Sequence, residues 1–103
     1  MFVKIYEHHV QKDKVDEYLT IQQKASEIYS QYLDLHTMFL NSKDEDTKWL
    51  EITTYNDEIQ YNKSMNIINE RKDIQDLFEA FQSLLLTDRN EIKEEDFIAI
   101  SNV

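Results

Sequence analysis

The fold is decided by residues 48–61, which read Lys48-Trp49-Leu50-Glu51-Ile52-Thr53-Thr54-Tyr55-Asn56-Asp57-Glu58-Ile59-Gln60-Tyr61. The first eight side chains alternate in character, as they do when a β-strand turns successive residues to opposite faces. Asp57 then suits a helix N-cap, and Gln60 three residues later resembles the partner residue of a capping box. The stretch therefore predicts a strand that leads directly into a helix.

Three further strands are predicted around this stretch. Residues 33–40 alternate in the same way, and the polar segment 41–46 joins them to the strand at 48–55. Two such runs with a short polar connection predict an antiparallel hairpin. Residues 2–9 predict an opening strand, and residues 96–101 predict a closing one.

Two helical regions lie between these strands. Apolar residues at spacings of three and four predict a helix from about residue 13 to about residue 31. A second helical region starts at Asp57, is interrupted at residues 69–72 and continues from Asp73. Its second half carries an apolar stripe made of Ile74, Leu77, Phe78, Phe81, Leu84 and Leu85. The stripe predicts a buried helix face.

The resulting element order is β-α-β-β-α-β, which predicts an α+β, ferredoxin-like fold. In this arrangement a four-stranded antiparallel sheet has its first strand between the third and the fourth. Right-handed crossovers place both helical regions on one face of the sheet. The sequence contains no repeat, linker or low-complexity segment, so we expect a single domain over residues 1–103.

Composition excludes several classes of function. The net charge is −10 and no cluster of Lys and Arg offsets it, so we expect neither nucleic acid nor a membrane as a partner. The chain has no Cys, Gly or Pro, which excludes disulfides, thiolate metal sites, P-loops, Rossmann turns and nucleophile elbows. No apolar run of membrane length and no signal-peptide pattern are present, so we expect a cytoplasmic protein.

One face of the predicted sheet has no helices to cover it. If Val3, Ile5, Leu50 and Ile52 face the helices, the uncovered face carries aromatic residues, namely Phe2, Tyr6, Trp49 and Tyr55. A monomer would expose them as a large apolar patch, which soluble monomers rarely do. Two sheets packed face to face would bury the patch, so the sequence predicts a homodimer.

The stretch at residues 48–61 also resembles a known family. It combines Trp49-Leu50-Glu51-Ile52, a following aromatic residue, an Asn-Asp-Glu helix cap and an aromatic residue in the helix. This pattern is similar to antibiotic-biosynthesis-monooxygenase-like domains of the dimeric α+β barrel superfamily. The opening strand, followed by Lys12-x-Lys14 and a long helix, is similar too. The resemblance implies a homodimer whose two sheets form a barrel, with a pocket between sheet and helices in each subunit.

The resemblance implies more than one kind of function. Some members of the family oxygenate polycyclic phenols or quinols without metal or flavin, others degrade haem, and many have no assigned role. This chain departs from the active types, because Lys63 or Ser64 stands where some members have a functional His. Haem-degrading relatives have an Asn on the first strand, where this chain has Lys4, Tyr6 and His8.

Glu51 and His8 are the candidate catalytic residues. A carboxylate within an aromatic strand is costly to bury without a partner, and burial would raise its pKa toward that of a neutral-pH base. The structural alternative for Glu51 is an ion pair or hydrogen bond across the dimer interface. His8 could act as a base because histidine titrates near neutral pH. The alternative is that His8 is an ordinary surface histidine without a catalytic role. His8 and His9 point to opposite faces of a strand and cannot chelate one metal together, so we expect no metal site.

Tyr6, Trp49 and Tyr55 are the candidate substrate-binding residues, since their rings could stack on a flat aromatic ligand. Aromatic residues with polar tips are equally typical of interface cores. The first hypothesis is a monooxygenase that needs no cofactor and acts on a small aromatic or quinol-type compound. The alternatives are a non-catalytic homodimer that binds a small apolar ligand or has a regulatory role, and a haem-binding or haem-degrading relative.

Overall fold

The computed structural model describes residues 1–101, and its elements follow the predicted order. They are β1 Phe2–His9, α1 Val15–Tyr29, β2 Leu35–Asn41, β3 Lys48–Tyr55, α2 Glu58–Ile68, α3 Lys72–Gln82 and β4 Lys93–Ile98. A short 3₁₀ turn, Lys12–Lys14, leads into α1. The predicted interruption near residues 69–72 separates α2 from α3, so the second helical region consists of two helices.

The four strands form one antiparallel sheet in the order β2-β3-β1-β4. This order confirms the ferredoxin-like α+β fold and the predicted position of the first strand. The central strands set the register of the candidate site, with Tyr6 opposite Glu51 and His8 opposite Trp49. β4 pairs with β1 from Lys93 onward, so it begins earlier than predicted. Its charged first residues belong to types that are depleted in strands, which hides it in the sequence.

The two faces of the sheet are the reverse of those predicted. The helices cover the face that carries the aromatic residues, where Phe2, Trp49 and Tyr55 are buried. The opposite face carries the aliphatic set, Val3, Ile5, Leu50 and Ile52. Alternation separates two sets of side chains but does not say which set faces the helices. Here the larger rings fill the space between sheet and helices.

The uncovered side of the sheet, called the open face below, remains apolar despite this reversal. Its apolar side chains are Val3, Ile5, Met38, Leu40, Leu50, Ile52 and Phe97. Met38 is 47% exposed and Phe97 is 45% exposed. The apolar surface on which a homodimer could form is therefore mainly aliphatic, and Trp49 does not belong to it.

Two clusters of buried side chains lie between the sheet and the helices. One contains Ile68 and the other contains Tyr18. Phe81 of α3 is 8% exposed, as its position in the predicted stripe requires. Phe78 is 52% exposed and corrects the prediction for that residue. Phe78 lines the cavity without belonging to either buried cluster, whereas Phe81 lines the cavity and is also packed in the second cluster.

The chain builds its helix ends and turns without glycine. Asp57 caps α2 as predicted, because its Oδ1 accepts a hydrogen bond of 2.7 Å from the backbone N–H of Gln60. The residues that follow the three helices as C-caps are Ser30, Asn69 and Ser83, and all have right-handed backbone angles. No residue among 1–101 has a positive φ, so none needs the left-handed conformation that favours glycine.

Within residues 1–101, no helix has both the length and the apolar character needed to cross a membrane.

Candidate functional site

A cavity of about 450 Å³ lies between the sheet and the three helices. Its apolar wall comes mainly from α1 and α3 and includes Ile21, Ile74, Leu77, Phe78 and Phe81. Its polar wall includes Tyr6, Gln22, Tyr29, Glu51, Tyr55 and Tyr61. This size, and an apolar lining with a limited number of polar groups, are typical of sites for small organic ligands.

Most of the residues that the sequence singled out meet at this cavity. Those that line it are Tyr6 and His8 on β1 and Glu51 and Tyr55 on β3. They share one face of two paired strands, so the register of the sheet brings them together. Trp49 lies in the core beside the cavity, where its ring packs on Tyr18 with 5.0 Å between centroids. We therefore assign Trp49 no contact with a ligand.

Glu51 is a partly buried residue whose carboxyl group belongs to the cavity wall. Burial raises its pKa to about 7, and a hydrogen bond from the Gln22 side chain partly offsets that rise. The Nε2 atom of Gln22 lies 3.5 Å from Glu51 Oε2. Because Glu51 faces the helices, it cannot form the ion pair across the open face that was its structural alternative. A carboxyl group that titrates near neutral pH can both accept and return a proton.

His8 is one of the residues that line the cavity, but it is almost completely buried. The residue is 1% exposed, and its Nε2 lies 2.8 Å from the Tyr18 hydroxyl. Burial, with a smaller effect of His9, lowers the pKa of His8 to about 4, so the imidazole is neutral at pH 7. Its Nδ1 has no hydrogen-bond partner among residues 1–101. An enclosed, neutral imidazole suits an anchoring role better than the role of a base.

The other two histidines lie on the opposite side of the sheet. His9 Nδ1 is 3.1 Å from Thr47 Oγ1, and His36 belongs to the open face of β2. His8 and His9 thus point to opposite faces, as the strand pattern predicted. In the part of the chain that the structure describes, no group of three His, Asp or Glu side chains could hold a metal ion.

Lys4 brings a positive charge close to the cavity, but two carboxylates of β4 already balance it. Its Nζ lies 2.5 Å from Glu94 Oε1 and 2.8 Å from Asp96 Oδ1. Burial alone would lower the pKa of Lys4, but the hydrogen bonds to Asp96 and Glu94 outweigh this effect and raise it. The same Nζ lies 5.2 Å from the ring centroid of Tyr61. Among the described residues that line the cavity, Glu51 is the one with a carboxyl group, and none is Lys or Arg. The cavity wall is therefore negatively charged when Glu51 is ionised.

Gln22, Tyr29 and Tyr61 belong to the cavity wall but were not singled out from the sequence. Gln22 and Tyr29 lie in the stripe of α1 that faces the sheet, and Tyr61 lies on α2. The sequence signal that could have identified them is a side chain with a polar end group in an otherwise apolar helix stripe, because buried polar groups need hydrogen-bond partners. The spacing of residues along one helix could not show that these polar groups lie close to the side chains of β3.

Comparison with known proteins supports the fold. No model of a protein family matches the chain, and no curated protein matches it. An antibiotic biosynthesis monooxygenase structure gives a TM-score of 0.71 at 12% identity, over 98% of this chain and 100% of that chain. SnoaB, a cofactor-independent oxygenase from Streptomyces nogalater, gives 0.75 at 10% identity, over 99% and 95%. A dimeric ferredoxin-like protein from an uncultured marine organism gives 0.74 at 15% identity, over 99% and 90%.

These structures share the architecture of the chain over nearly its whole length. They confirm, at the level of the fold, the sequence-based resemblance to antibiotic-biosynthesis-monooxygenase-like and ferredoxin-like proteins. One fold serves many unrelated activities. The activity of this chain therefore has to be argued from the residues of its cavity.

Proposed function

We propose that the protein is a cofactor-independent oxygenase that acts on a small phenol or quinol in the cavity, with Glu51 as the general base. The observation that carries this proposal is the place of the Glu51 carboxyl group, which lines a mostly apolar cavity and is only partly exposed. A base in this position can take a proton from a hydroxyl group of a bound ligand. The fold shared with a cofactor-independent oxygenase is consistent with this chemistry.

The reaction begins when the hydroxyl proton of the substrate passes to Glu51. The resulting anion is rich in electrons and reduces O₂ itself, so the protein supplies no electrons. In the overall balance, a CH₂ group of the keto tautomer becomes C=O, and the second oxygen atom leaves with both hydrogens as water. A pKa of about 7 allows Glu51 to bind the proton and then release it for the next turnover.

Tyrosines near Glu51 can stabilise the anion that forms. Tyr6 is the direct cross-strand neighbour of Glu51, and Tyr29 and Tyr55 also line the cavity. Burial raises the pKa of all three phenols, to about 12 for Tyr29. They stay protonated at neutral pH and can donate hydrogen bonds to the developing oxyanion. Donors that are already in place are an effective way to stabilise such charge.

The charge of the cavity favours a neutral substrate. Ionised Glu51 would repel an anionic group, and the nearby Lys4 is already paired with two carboxylates. Haem carries carboxylate groups, and the His8 imidazole of the cavity wall has its Nε2 against Tyr18, where it cannot bind iron. These features favour a neutral phenol over haem.

The second candidate is a binding protein without catalysis. The cavity volume and the aromatic wall of Phe78 and Phe81 support the binding of a small aromatic ligand independently of any reaction. In that case Glu51 would orient a ligand hydroxyl by accepting its hydrogen bond, and binding would consume no oxygen.

A homodimer is part of the proposal. The open face exposes apolar side chains that include Met38 and Phe97, and one of the structurally similar proteins is described as dimeric. Two open faces packed together would remove these side chains from water. Each subunit would keep its own cavity, because the cavity lies on the other side of the sheet.

Oxygen consumption tests the proposed function. Anthrone, which is the keto tautomer of a neutral phenol, and the neutral quinol naphthoquinol would be added to the protein in an oxygen electrode, and binding would be followed by calorimetry. We expect Glu51→Gln to bind the active compound with turnover lowered by about 10²–10⁴-fold. Glu58→Gln, at the exposed start of α2, is the matched control. Binding without oxygen uptake would support the second candidate, and equal turnover of Glu51→Gln and wild type would contradict the role of Glu51.

A further inference from the structure

We infer that the cavity also binds a small organic cation, an aryl ammonium ion, between the Glu51 carboxylate and the tyrosine rings around it. This inference concerns binding in the same cavity and does not depend on any reaction. The tyrosines that line the cavity with Glu51 are Tyr6, Tyr29, Tyr55 and Tyr61. A negative charge and aromatic rings are the groups that attract an organic ammonium ion.

The tyrosine rings lie near the Glu51 carboxyl group. Tyr6 is the direct cross-strand partner of Glu51, and such partners have their Cβ atoms about 5 Å apart. Burial and, among smaller effects, the negative charge of Glu51 raise the pKa of Tyr6, Tyr29 and Tyr55. The rings of Tyr55 and Tyr61 meet edge to face, with 4.7 Å between centroids. A cation beside Glu51 would therefore have aromatic rings around it.

Two of these rings already attract an ammonium group of the chain itself. Lys4 Nζ lies 5.2 Å from the ring centroid of Tyr61 and 5.9 Å from that of Tyr6. Both distances are in the range of cation–π attraction. Lys4 is paired with Glu94 and Asp96, so one positive and two negative charges leave this group with a net negative charge. It therefore does not repel a second cation as an unpaired lysine would.

The Glu51 carboxylate has little to offset its charge when it is ionised. The hydrogen bond from Gln22 is long, with 3.5 Å between Nε2 and Oε2, and no Lys or Arg among residues 1–101 lines the cavity. Burial accordingly raises the pKa of Glu51 to about 7. A bound cation would supply the missing positive charge.

The rest of the cavity wall restricts the kind of cation. A metal ion needs several oxygen or nitrogen ligands, and no group of three His, Asp or Glu side chains among the described residues could provide them. Phe78 and Phe81 belong to a wall that is mostly apolar, which suits the aromatic or alkyl body of an organic ammonium ion.

The ionisation of Glu51 should control the affinity for a cation. The other titratable groups around Glu51 are His8 and Tyr6 on β1, Tyr18 and Tyr29 on α1, Tyr55 on β3 and Tyr61 on α2. Burial raises the pKa of these tyrosines and lowers that of His8 to about 4, so all of them are neutral near pH 7. Because a cation prefers ionised Glu51, its binding should release a proton from this group.

Calorimetry with phenyltrimethylammonium tests the inference, because the charge of this probe does not change with pH. We expect it to bind about tenfold more tightly at pH 8 than at pH 5.5, since a nearby opposite charge lowers a carboxyl pKa by about one to three units. The affinity of its neutral isostere, tert-butylbenzene, should not rise. Titrations at pH 6.5 in phosphate and in HEPES, which differ in ionisation enthalpy, should show the release of about half a proton or more per bound cation.

Two pairs of variants identify the groups that bind the cation. Glu51→Gln should remove the pH dependence and lower the affinity at pH 8 by about tenfold, whereas Glu58→Gln, at the exposed start of α2, should change neither. Tyr6→Leu should weaken binding by about fivefold, and Tyr6→Phe, which keeps the ring, should not. Equal affinity at both pH values, no effect of Glu51→Gln, or no binding of phenyltrimethylammonium would overturn the inference. Glu51→Gln decides the matter if Tyr6→Leu fails to fold.

Oxygen uptake separates this inference from the proposed function. The cation and a phenol would compete for one cavity, so with a substrate that turns over, phenyltrimethylammonium should raise KM and leave kcat unchanged. The expected cation binding in a protein that consumes no oxygen would contradict the oxygenase and support the cation site. An active enzyme that does not bind the cation would contradict the cation site and support the oxygenase.

Discussion

Tyr6 and Glu51 are direct cross-strand partners, one on β1 and the other on β3, and both side chains line the cavity. Side chains opposite each other on paired strands have their Cβ atoms about 5 Å apart. A phenol donor and a carboxyl group are therefore held next to each other by the backbone ladder of the two central strands. Sites built on such elements keep their geometry better than sites built on loops.

The raised pKa of Glu51 predicts a pH-dependent loss of stability. The pKa is about 7 in the folded protein and 4.5 in the absence of burial. Between these values the folded state holds a proton that the unfolded state has released, so the free energy of unfolding falls as the pH rises through this window. Glu51→Gln should therefore be more stable than the wild type at pH 8, by up to about 3 kcal/mol.

Urea denaturation at two pH values measures this effect. The stability difference between Glu51→Gln and the wild type should be nearly absent close to pH 4.5 and reach its full size above pH 7. Glu58→Gln, on the exposed side of α2, controls for the general loss of one negative charge. A difference that is the same at both ends of the window would mean that Glu51 titrates as an exposed carboxyl group.

The fold could be predicted because its signals are local. The alternation over residues 48–55 and the Asp57 cap define β3 and the start of α2, and the element order then leaves few possible topologies. The sequence predicts a later start for β4 than the structure has, because the first residues of this strand are charged and show no alternation of apolar and polar side chains. It forms there because β1 offers a free edge and because Lys4 pairs with Glu94 and Asp96 across that edge.

The site could be predicted only in part. Alternation places Tyr6, Glu51 and Tyr55 on one face, and the structure brings all three to the cavity. The choice of the covered face depends on how side-chain volumes fit against the helices, and a strand pattern does not contain that information. Trp49 shares the face but lies in the core, and Gln22 joins the site through a contact between elements that no local spacing encodes.

Phe81 and Phe78 offer a matched test of the packing of α3. Both line the cavity, but Phe81 is buried against Tyr18 and His8, whereas Phe78 is half exposed. Phe81→Ala should lower the free energy of unfolding by about 3–5 kcal/mol, the usual cost of emptying a buried aromatic position. Phe78→Ala should cost less than about 1.5 kcal/mol, because the side chain loses little buried area. Similar losses in chemical denaturation would contradict this description of the cavity.

The open face predicts where the dimer can be broken. Met38→Glu puts a charge on that face without touching the core, so it should convert a dimer into a folded monomer. Light scattering gives the mass, and circular dichroism checks that the fold is kept. Ile59→Glu, at a position that is 70% exposed on α2, is the control and should stay dimeric. Trp49→Asp should unfold the protein, because Trp49 lies in the core.

A wild type that is monomeric at micromolar concentration would contradict the homodimer. The same holds if Met38→Glu and Ile59→Glu have equal masses, since the open face would then not be the contact surface. Unfolding of Met38→Glu alone would show instead that the two subunits depend on each other for folding.

The charge of Glu51 predicts how the cavity discriminates between ligands. A naphthol and its carboxylated analogue share the ring system and the hydroxyl group, and they differ in one negative charge. At pH 8, where Glu51 is ionised, the neutral compound should bind at least about tenfold more tightly, because like charges repel within a poorly solvated cavity. The difference should shrink at pH 5.5, below the pKa of Glu51, and also in Glu51→Gln. Calorimetry with both ligands gives the two affinities. An equal preference at both pH values would point to a discrimination by shape, and tighter binding of the carboxylate would show that the charge of Lys4 remains available to ligands.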